Sequence, residues 1–353
     1  MNHRVILIGG GYAGMYFLRT ALADLPPHIE VTLVDRLPKS PLKTEFYSIA
    51  AGTSSLKEVT IPFPAHPQLT VVYDEVVGID RSRKLLSLRE QGELAYDTLI
   101  IALGCVDRFH GIPGAEENSL SLQSLKRAQI TGHSILTLDA NRSVVLVGAG
   151  LTGVELAAEL CETRHDLKIT LVDRNDLVLN GFSEKLRQYV EKWLRDHDIR
   201  MIHGLHTKEI ASDCLVYEGG ELEFDKLVWT AGIQANPLVR SLGVKTDSIG
   251  RAVVDEWQRV PDDSAVFVVG DCAASADPPS AQLAEFHGRR TAEILLAEWR
   301  GEKPAQRQFQ HKGTLGALGR GAGFGTVKGV DVEGKIPRIL KSGVLWSYKK
   351  HVE

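Results

Sequence analysis

Apolar residues along this chain gather in short runs broken by glycine turns, and one such arrangement occurs twice. Val5–Ile8 is a β-branched run that meets Gly9-Gly10-Gly11-Tyr12-Ala13-Gly14, and Met15–Leu25 follows with helical composition up to Pro26-Pro27. Ile29–Val34 alternates as a second strand and closes on Asp35. Farther along, Ser143–Val147 meets Gly148-Ala149-Gly150-Leu151-Thr152-Gly153, Val154–Arg164 reads as a helix, and Lys168–Val172 closes on Asp173. Strand, tight turn, helix and second strand make a βαβ unit, which needs a parallel sheet. Between and after these units, Lys126–Leu138 and Glu184–His197 carry the amphipathic helical period, and Thr70–Asp80 with Lys84–Leu88 read as a small antiparallel addition. Six glycines between 313 and 325 predict turns or a tight hairpin.

Each glycine of a GxGxxG turn has a physical task. The first permits the turn, the second lets backbone approach a pyrophosphate, and the third lets helix pack on strand, while the helix N-terminus offers free N–H groups and the strand-end acid takes ribose hydroxyls. One copy is a weak signal; two complete copies predict two dinucleotide-binding units. A length of 353 residues also exceeds what one core usually serves. The expected class is therefore α/β, with two Rossmann-like domains, one inserted in the other, and a short C-terminal segment. The first domain takes 1–110 and 257–325, the inserted one 111–256, and the tail 326–353.

Composition removes several alternatives. A net charge of −4 with balanced acids and bases gives no field for nucleic acid, and no apolar run reaches the roughly 20 residues that span a bilayer. The N-terminus enters a strand at once, which leaves no room for a signal peptide and points to the cytoplasm. Cys105, Cys161, Cys214 and Cys272 are each more than fifty positions from the next, so no dithiol or zinc spacing exists. His203 and His206 come nearest to a ligand pair, without a helix or carboxylate to complete it, and no metal is expected.

Two further strands carry a resemblance. Tyr96–Gly104 ends in a small-residue turn before Pro113-Gly114, and Ala265–Gly270 runs into Asp271. These resemble the "ATG" and "GD" elements of flavoproteins with two dinucleotide-binding domains, in which FAD lies in the first domain and NAD(P)H in the inserted one. The resemblance covers nearly the whole chain. It implies non-covalent FAD held by Gly9, Gly11, Tyr12, Ala13, Gly14, Asp35, Arg36, Lys43, Thr44, Val77, Ala102, Gly104, Asp271, Gln282 and Leu283, with Asp271 on the ribityl chain. It places NADH, as substrate, on Gly148, Gly150, Leu151, Thr152, Gly153, Glu155, Asp173 and, at the turn after Leu227–Ala231, Gly232. Asp173 favours NADH: a carboxylate about 4 Å from a 2′-phosphate is repelled by a few kcal/mol at an effective dielectric of about 20, which Arg174 offsets in part.

Hydride transfer asks for two stacked rings in near-attack geometry, screened from water. Glu155, in the first turn after the second motif, either points toward the nicotinamide or merely complements the helix dipole. Related NADH-dependent ferredoxin reductases place a lysine beside the flavin with a glutamate partner, which implies a Lys43–Glu155 pair here. The stretch Pro278–Glu285 resembles type II NADH:quinone oxidoreductases, whose AQxA motif puts a glutamine at the quinone end of the flavin; Gln282 matches, while Phe286 stands where that family has a second glutamine. Gln282 also reads as a residue bonding backbone at a helix start. That resemblance implies menaquinone or ubiquinone as the acceptor and catalytic roles for Glu155, Lys43 and Gln282.

The tail mixes Ile336, Ile339, Leu340, Val344, Leu345, Trp346 and Tyr348 with Lys335, Arg338, Lys341, Lys349 and Lys350. Two readings stand: a helix in the headgroup region at the inner face of the cell membrane, or a segment packed on the protein itself or on a second subunit in a homodimer. Three functions compete. One is an NADH:quinone oxidoreductase that pumps no protons; another is a soluble NADH-dependent ferredoxin reductase; the third is an NADH-responsive flavoprotein resembling apoptosis-inducing factor. Sulfide:quinone oxidoreductase is disfavoured, because it needs cysteines that meet at the flavin.

Overall fold

The computed structural model describes residues 2–352, with side chains for 2–350. Two sheets dominate. The first has six strands in the order Arg259–Val260, Asp263–Val268, Thr98–Ile101, His3–Ile8, Ile29–Asp35, Leu69–Tyr73, all parallel except the first pair. The second has five parallel strands in the order Leu120–Ser121, Lys226–Trp229, Ser143–Val147, Lys168–Val172, Arg200–Ile202. Unbroken apolar strands make sense here, because both faces of each sheet are covered. Val5 and Leu7 pack with Phe17 and Leu18 of the helix Tyr12–Leu22, while Ile6 and Ile8 face Leu86, Leu99 and Val268 on the other side. In the second sheet Val144 and Leu146 meet the helix Leu151–Thr163, and Val145 and Val147 meet Trp229 and Phe224. This is the two-Rossmann fold read from the repeat. A short antiparallel ladder, Cys105–Asp107 against Ile233–Ala235, ties the ends of the two sheets together.

Several boundaries differ from the sequence reading. Both helices after the glycine turns begin three residues early, inside the motif, at Tyr12 and Leu151. Thr70–Asp80 is not one strand. Leu69–Tyr73 completes the parallel sheet beside Ile29–Asp35, and only Val76–Asp80 joins Leu85–Leu88 and Glu93–Ala95 in the antiparallel addition. Asp74 makes the break, since its carboxylate accepts the backbone N–H groups of Glu75, Glu90 and Gln91, a turn that competes with strand pairing. The two amphipathic helices run Leu125–Leu136 and Glu184–Asp196.

The glycine-rich segment is a hairpin, Gly313–Leu318 with Ala322–Val327, extended by Val330–Gly334. The chain then forms the helix Lys335–Val352. One side of this helix docks: Tyr348 is buried against Met15, Leu42 and Ile61, with its ring 5.1 Å from that of Tyr12 and 5.8 Å from that of Tyr16. The opposite side leaves Ile336, Ile339, Val344 and Trp346 exposed at 59–69%. Among the described residues no helix is long and apolar enough to cross a membrane.

Candidate active site

The two cradles share one geometry. At the first, Asp35 accepts Gly10 N–H through Oδ2 at 2.7 Å and Leu37 N–H through Oδ1 at 2.8 Å. At the second, Asp173 accepts Ala149 N–H through Oδ2 at 2.7 Å and Asn175 N–H through Oδ1 at 2.8 Å. Each acid thus pins the turn one strand away, before any ribose arrives. Burial raises the Asp35 carboxyl above its ordinary value, and these backbone donors oppose the rise. Gly14 and Gly153 are there for packing: a Cβ on either would lie 2.1 or 2.0 Å from the carbonyl oxygen of Gly9 or Gly148. Gly11 and Gly150 face open space, and neither helix has a side-chain N-cap. Free N–H groups at an uncapped helix start suit a pyrophosphate. Beside Gly148 and Gly150, with Leu151 and Thr152 opening the helix, lies a cavity of about 400 Å³ lined by Asp173, Arg174, Thr230 and Gly232.

The first cradle has a polar floor. Lys43 Nζ donates to Cys105 O at 2.9 Å and to Cys105 Sγ at 3.2 Å, and Cys105 Sγ lies 3.4 Å from Asp271 Oδ2. Asp271 Oδ1 is buried with no partner among the described residues. A buried carboxylate oxygen of that kind requires a donor, and a ribityl hydroxyl fits the need. Burial pushes the Cys105 thiol up to about 11 and the Cys272 thiol higher still, so both stay protonated and poorly nucleophilic. Tyr12 Oη and Thr44 Oγ1 are 2.7 Å apart at the mouth. Ala13 lies under Gly270, whose N–H is accepted by His287 Nδ1 at 3.2 Å. Burial depresses that imidazole to about 4, and the neutral ring can accept. Ala102 follows the strand Thr98–Ile101 and its N–H donates to Ile8 O at 2.8 Å, and Gly104, at φ +67°, turns the chain toward Cys105. Arg36 is exposed beyond Asp35, and Val77, 47% exposed on the antiparallel addition, stands apart from the floor.

Gln282 opens the helix Ala281–Trp299 behind a Ser280 cap on Leu283 N–H. Its amide donates to Gly313 O at 2.8 Å and accepts Lys312 N–H at 3.2 Å. The backbone-bonding role is therefore real, although the bonds reach the hairpin rather than its own helix. The ring of Phe286 meets that of Phe309 at a tilt of 56°, with centroids 5.6 Å apart.

The Lys43–Glu155 pair is corrected. Glu155 is 4% exposed, and its Oε1 accepts Ala317 N–H at 2.9 Å and the ammonium of Lys341, from the C-terminal helix. Lys341 Nζ also bonds Tyr47 Oη at 2.9 Å, lies 4.5 Å from the Tyr47 ring centroid and 3.9 Å from Glu45. Lys43 turns to Cys105 instead, because its side chain leaves the short turn Lys43–Glu45 toward the Asp271 strand end. Burial raises the Glu155 carboxyl, and Lys341 counters it. In the sequence Lys341 is one of five Lys and Arg residues between 335 and 350 and has no assigned partner. The available signal was position: Pro337, Lys341, Leu345 and Tyr348 fall on one helical stripe, and Lys341 is the cation on it. Among the described residues no group of three or more His, Cys, Asp or Glu side chains is placed to hold a metal.

A family model for pyridine nucleotide-disulphide oxidoreductases matches residues 3–288. The chain is 43% identical over 99% of its length to the NADH dehydrogenase-like protein YutJ of Bacillus subtilis, itself covered to 99%. It is 27% identical to a type II NADH:quinone oxidoreductase of Staphylococcus epidermidis, across 96% of this chain and 93% of that one. An NDH2 from Plasmodium falciparum, solved in complex with NADH, superposes with a TM-score of 0.87 over 100% of this chain and 97% of that one, at 14% identity. With two dinucleotide cradles, an unpartnered aspartate oxygen at the first and an open cavity at the second, the chain belongs to the pyridine nucleotide-disulphide oxidoreductases, FAD-dependent enzymes that exchange hydride with nicotinamide nucleotides.

Proposed function

We propose that this protein is an NADH dehydrogenase that oxidises NADH through FAD and delivers two electrons to a quinone without pumping protons. FAD, when bound, is the two-electron carrier between donor and acceptor. We assign it to 1–110 with 257–325, and NADH to 111–256. The observation that carries the reading is the pairing of the unpartnered Asp271 oxygen in one cradle with the 400 Å³ cavity at Asp173 in the other. The short ladder between Cys105–Asp107 and Ile233–Ala235 holds those two strand ends together. Gly9, Gly11 and Gly14 seat one pyrophosphate; Gly148, Gly150 and Gly153 seat the other. Lys43, fixed by Cys105, brings a cation to the electron-accepting ring and favours its reduced form. Gln282 ties the quinone end to the hairpin.

Quinone as acceptor is supported by the likeness to type II enzymes and by the exposed face of the C-terminal helix. Ile336, Ile339, Val344 and Trp346, with Lys350 stacked 4.3 Å from the Trp346 ring, suit peripheral contact with a membrane that contains the acceptor. Stopped-flow reduction of the FAD-loaded protein by NADH, followed by reoxidation in parallel with a menaquinone analogue, ferredoxin and oxygen, tests the reading. The quinone should be the fastest oxidant; fastest reoxidation by ferredoxin refutes it. Ile339→Asp with Val344→Asp should abolish co-sedimentation with anionic liposomes, and unchanged binding would exclude the helix as the contact.

A further inference from the structure

A second, polar cavity of about 210 Å³ lies behind the buried ion pair. It is lined by Glu45, Tyr47, Ser48, Thr53, Ser54, Glu159, Arg320 and Arg338, the last two from the hairpin turn and the C-terminal helix. The lining mixes two carboxylates with two guanidiniums, which suits water better than an anion or a metal ion. The volume holds several water molecules at roughly 30 Å³ each. Glu159 is 2% exposed, and its Oε2 has no hydrogen-bond partner among the described residues. An unpartnered buried oxygen in a roomy polar cavity is where an ordered water belongs.

From this cavity a hydrogen-bonded chain leads inward. Tyr47 Oη donates to Glu45 Oε2 at 3.4 Å and accepts from Lys341 Nζ at 2.9 Å, and Lys341 donates in turn to Glu155. Three titratable groups, Glu45, Tyr47 and Lys341, thus connect the cavity water to Glu155, a carboxyl on the glycine-motif helix. Facing Glu159 are Thr53, Arg338 and Lys341 from other elements and Glu162 from its own helix. Burial raises the Glu159 carboxyl above its ordinary value, so it keeps a proton at higher pH than an exposed glutamate.

We infer that this cavity is the proton entry of the enzyme: solvent protons pass Glu159 and the cavity water, then Glu45, Tyr47 and Lys341, to Glu155, which gives each proton up to an oxygen of the reduced quinone. The inference rests on the quinone reading. NADH gives up one hydride, and a quinone becomes a quinol by taking two electrons and two protons, so each turnover draws one proton from solvent. Every hop breaks an O–H or N–H bond on the donor, forms one on the acceptor, and moves no net electrons. Glu159 and Tyr47 are positioning residues in this scheme; they touch neither donor nor acceptor of electrons.

The test compares two oxidants of the NADH-reduced, FAD-loaded protein: menadione, which takes protons with its electrons, and ferricyanide, which takes electrons alone. Glu159→Gln and, independently, Tyr47→Phe should each lower the ratio of menadione to ferricyanide rate by about tenfold or more. Each should also enlarge the solvent deuterium effect on the menadione step. A merely structural defect would slow both oxidants alike and leave the ratio untouched. As a readout apart from turnover, the reduced-minus-oxidised infrared spectrum should contain a protonated-carboxyl C=O band that Glu159→Gln removes. Wild-type reduction of menadione, with ratio, isotope effect and band unchanged in both variants, overturns the proton route alone. Wild-type reduction of ferricyanide without menadione overturns the quinone reading and the route together.

Discussion

Replacing Lys341 by methionine tests the ion pair most directly, since methionine keeps the bulk over the Tyr47 ring and removes the charge with its N–H donors. Lys341 and Glu155 side chains are 12% and 5% exposed, so water screens them little. Glu45 adds a second carboxylate: at an effective dielectric of about 20, unit charges at its 3.9 Å separation from Lys341 attract by roughly 4 kcal/mol. Desolvation offsets much of that gain while both partners are present, but removing one leaves the other buried and uncompensated, at a cost of about 3–5 kcal/mol. Burial already raises the Glu155 carboxyl in the folded protein, and loss of the cation raises it further. A carboxyl so raised holds its proton when folded and releases it when unfolded. Its stabilisation is complete below the ordinary glutamate range and is lost as pH rises through the folded value. The deficit of Lys341→Met should therefore be smallest in acid and reach its full size at neutral pH. The assay is urea unfolding of the FAD-loaded chain at neutral pH and at about pH 5, in a double-mutant cycle with Glu155→Gln. The double variant should recover most of the loss. Equal midpoints for Lys341→Met and wild type at neutral pH, or strictly additive effects, would refute the argument.

Other consequences follow from the same geometry. Asp173→Ser removes the repulsion of a 2′-phosphate while Arg174 stays beside the cavity, so the NADPH-to-NADH ratio of kcat/KM should rise about tenfold or more in steady-state assays. Gly153→Ala drives a methyl group into Gly148 O; it should cost roughly 1–3 kcal/mol in thermal unfolding and weaken NADH binding while FAD content stays near wild type. Glu285, half-buried beside Tyr16, is pushed up to about 7 by desolvation. Its proton stabilises the fold below the ordinary glutamate range and that contribution fades as pH rises through about 7, by up to about 3 kcal/mol; Glu285→Gln should flatten the pH dependence of the melting midpoint across that window. Lys43→Met should lower the flavin potential in spectroelectrochemistry, and an unchanged potential would remove Lys43 from the flavin side.

The parts of the fold visible in the sequence were those whose physics is local. A β-branched run, a glycine turn and an acid at the next strand end determine one another over some thirty residues, which is why both cradles and their strand-end acids are legible, whereas the bonds from Asp35 and Asp173 back to their turns are a finding of the structure. The division at Asp74 was harder, because a strand-forming composition continues across it and only the side chain's bonds to Glu90 and Gln91, far along the chain, end the strand. Gln282 illustrates a different limit. Its place at a helix start was legible, but its partners at 312 and 313 depend on how the hairpin folds back.

The partner of Glu155 lay beyond local reasoning altogether. The glycine motif fixes where Glu155 stands, since the helix must start at Leu151 to leave its N–H groups free, and four residues further along the side chain turns inward. It does not fix what covers that carboxylate. The cover comes from Ala317 and from Lys341, the latter 186 positions away, and both depend on the hairpin and the final helix folding back over the second cradle. A lysine near the first cradle could be assigned to Glu155 by analogy because analogy transfers sequence position, whereas a buried charge selects whichever cation the topology brings within reach. Lys341 satisfies that demand and Lys43 does not, so the C-terminal helix is part of the site's electrostatics whatever its outer face touches. Any shortening of the chain before residue 341 must therefore leave Glu155 protonated or the segment around it rearranged.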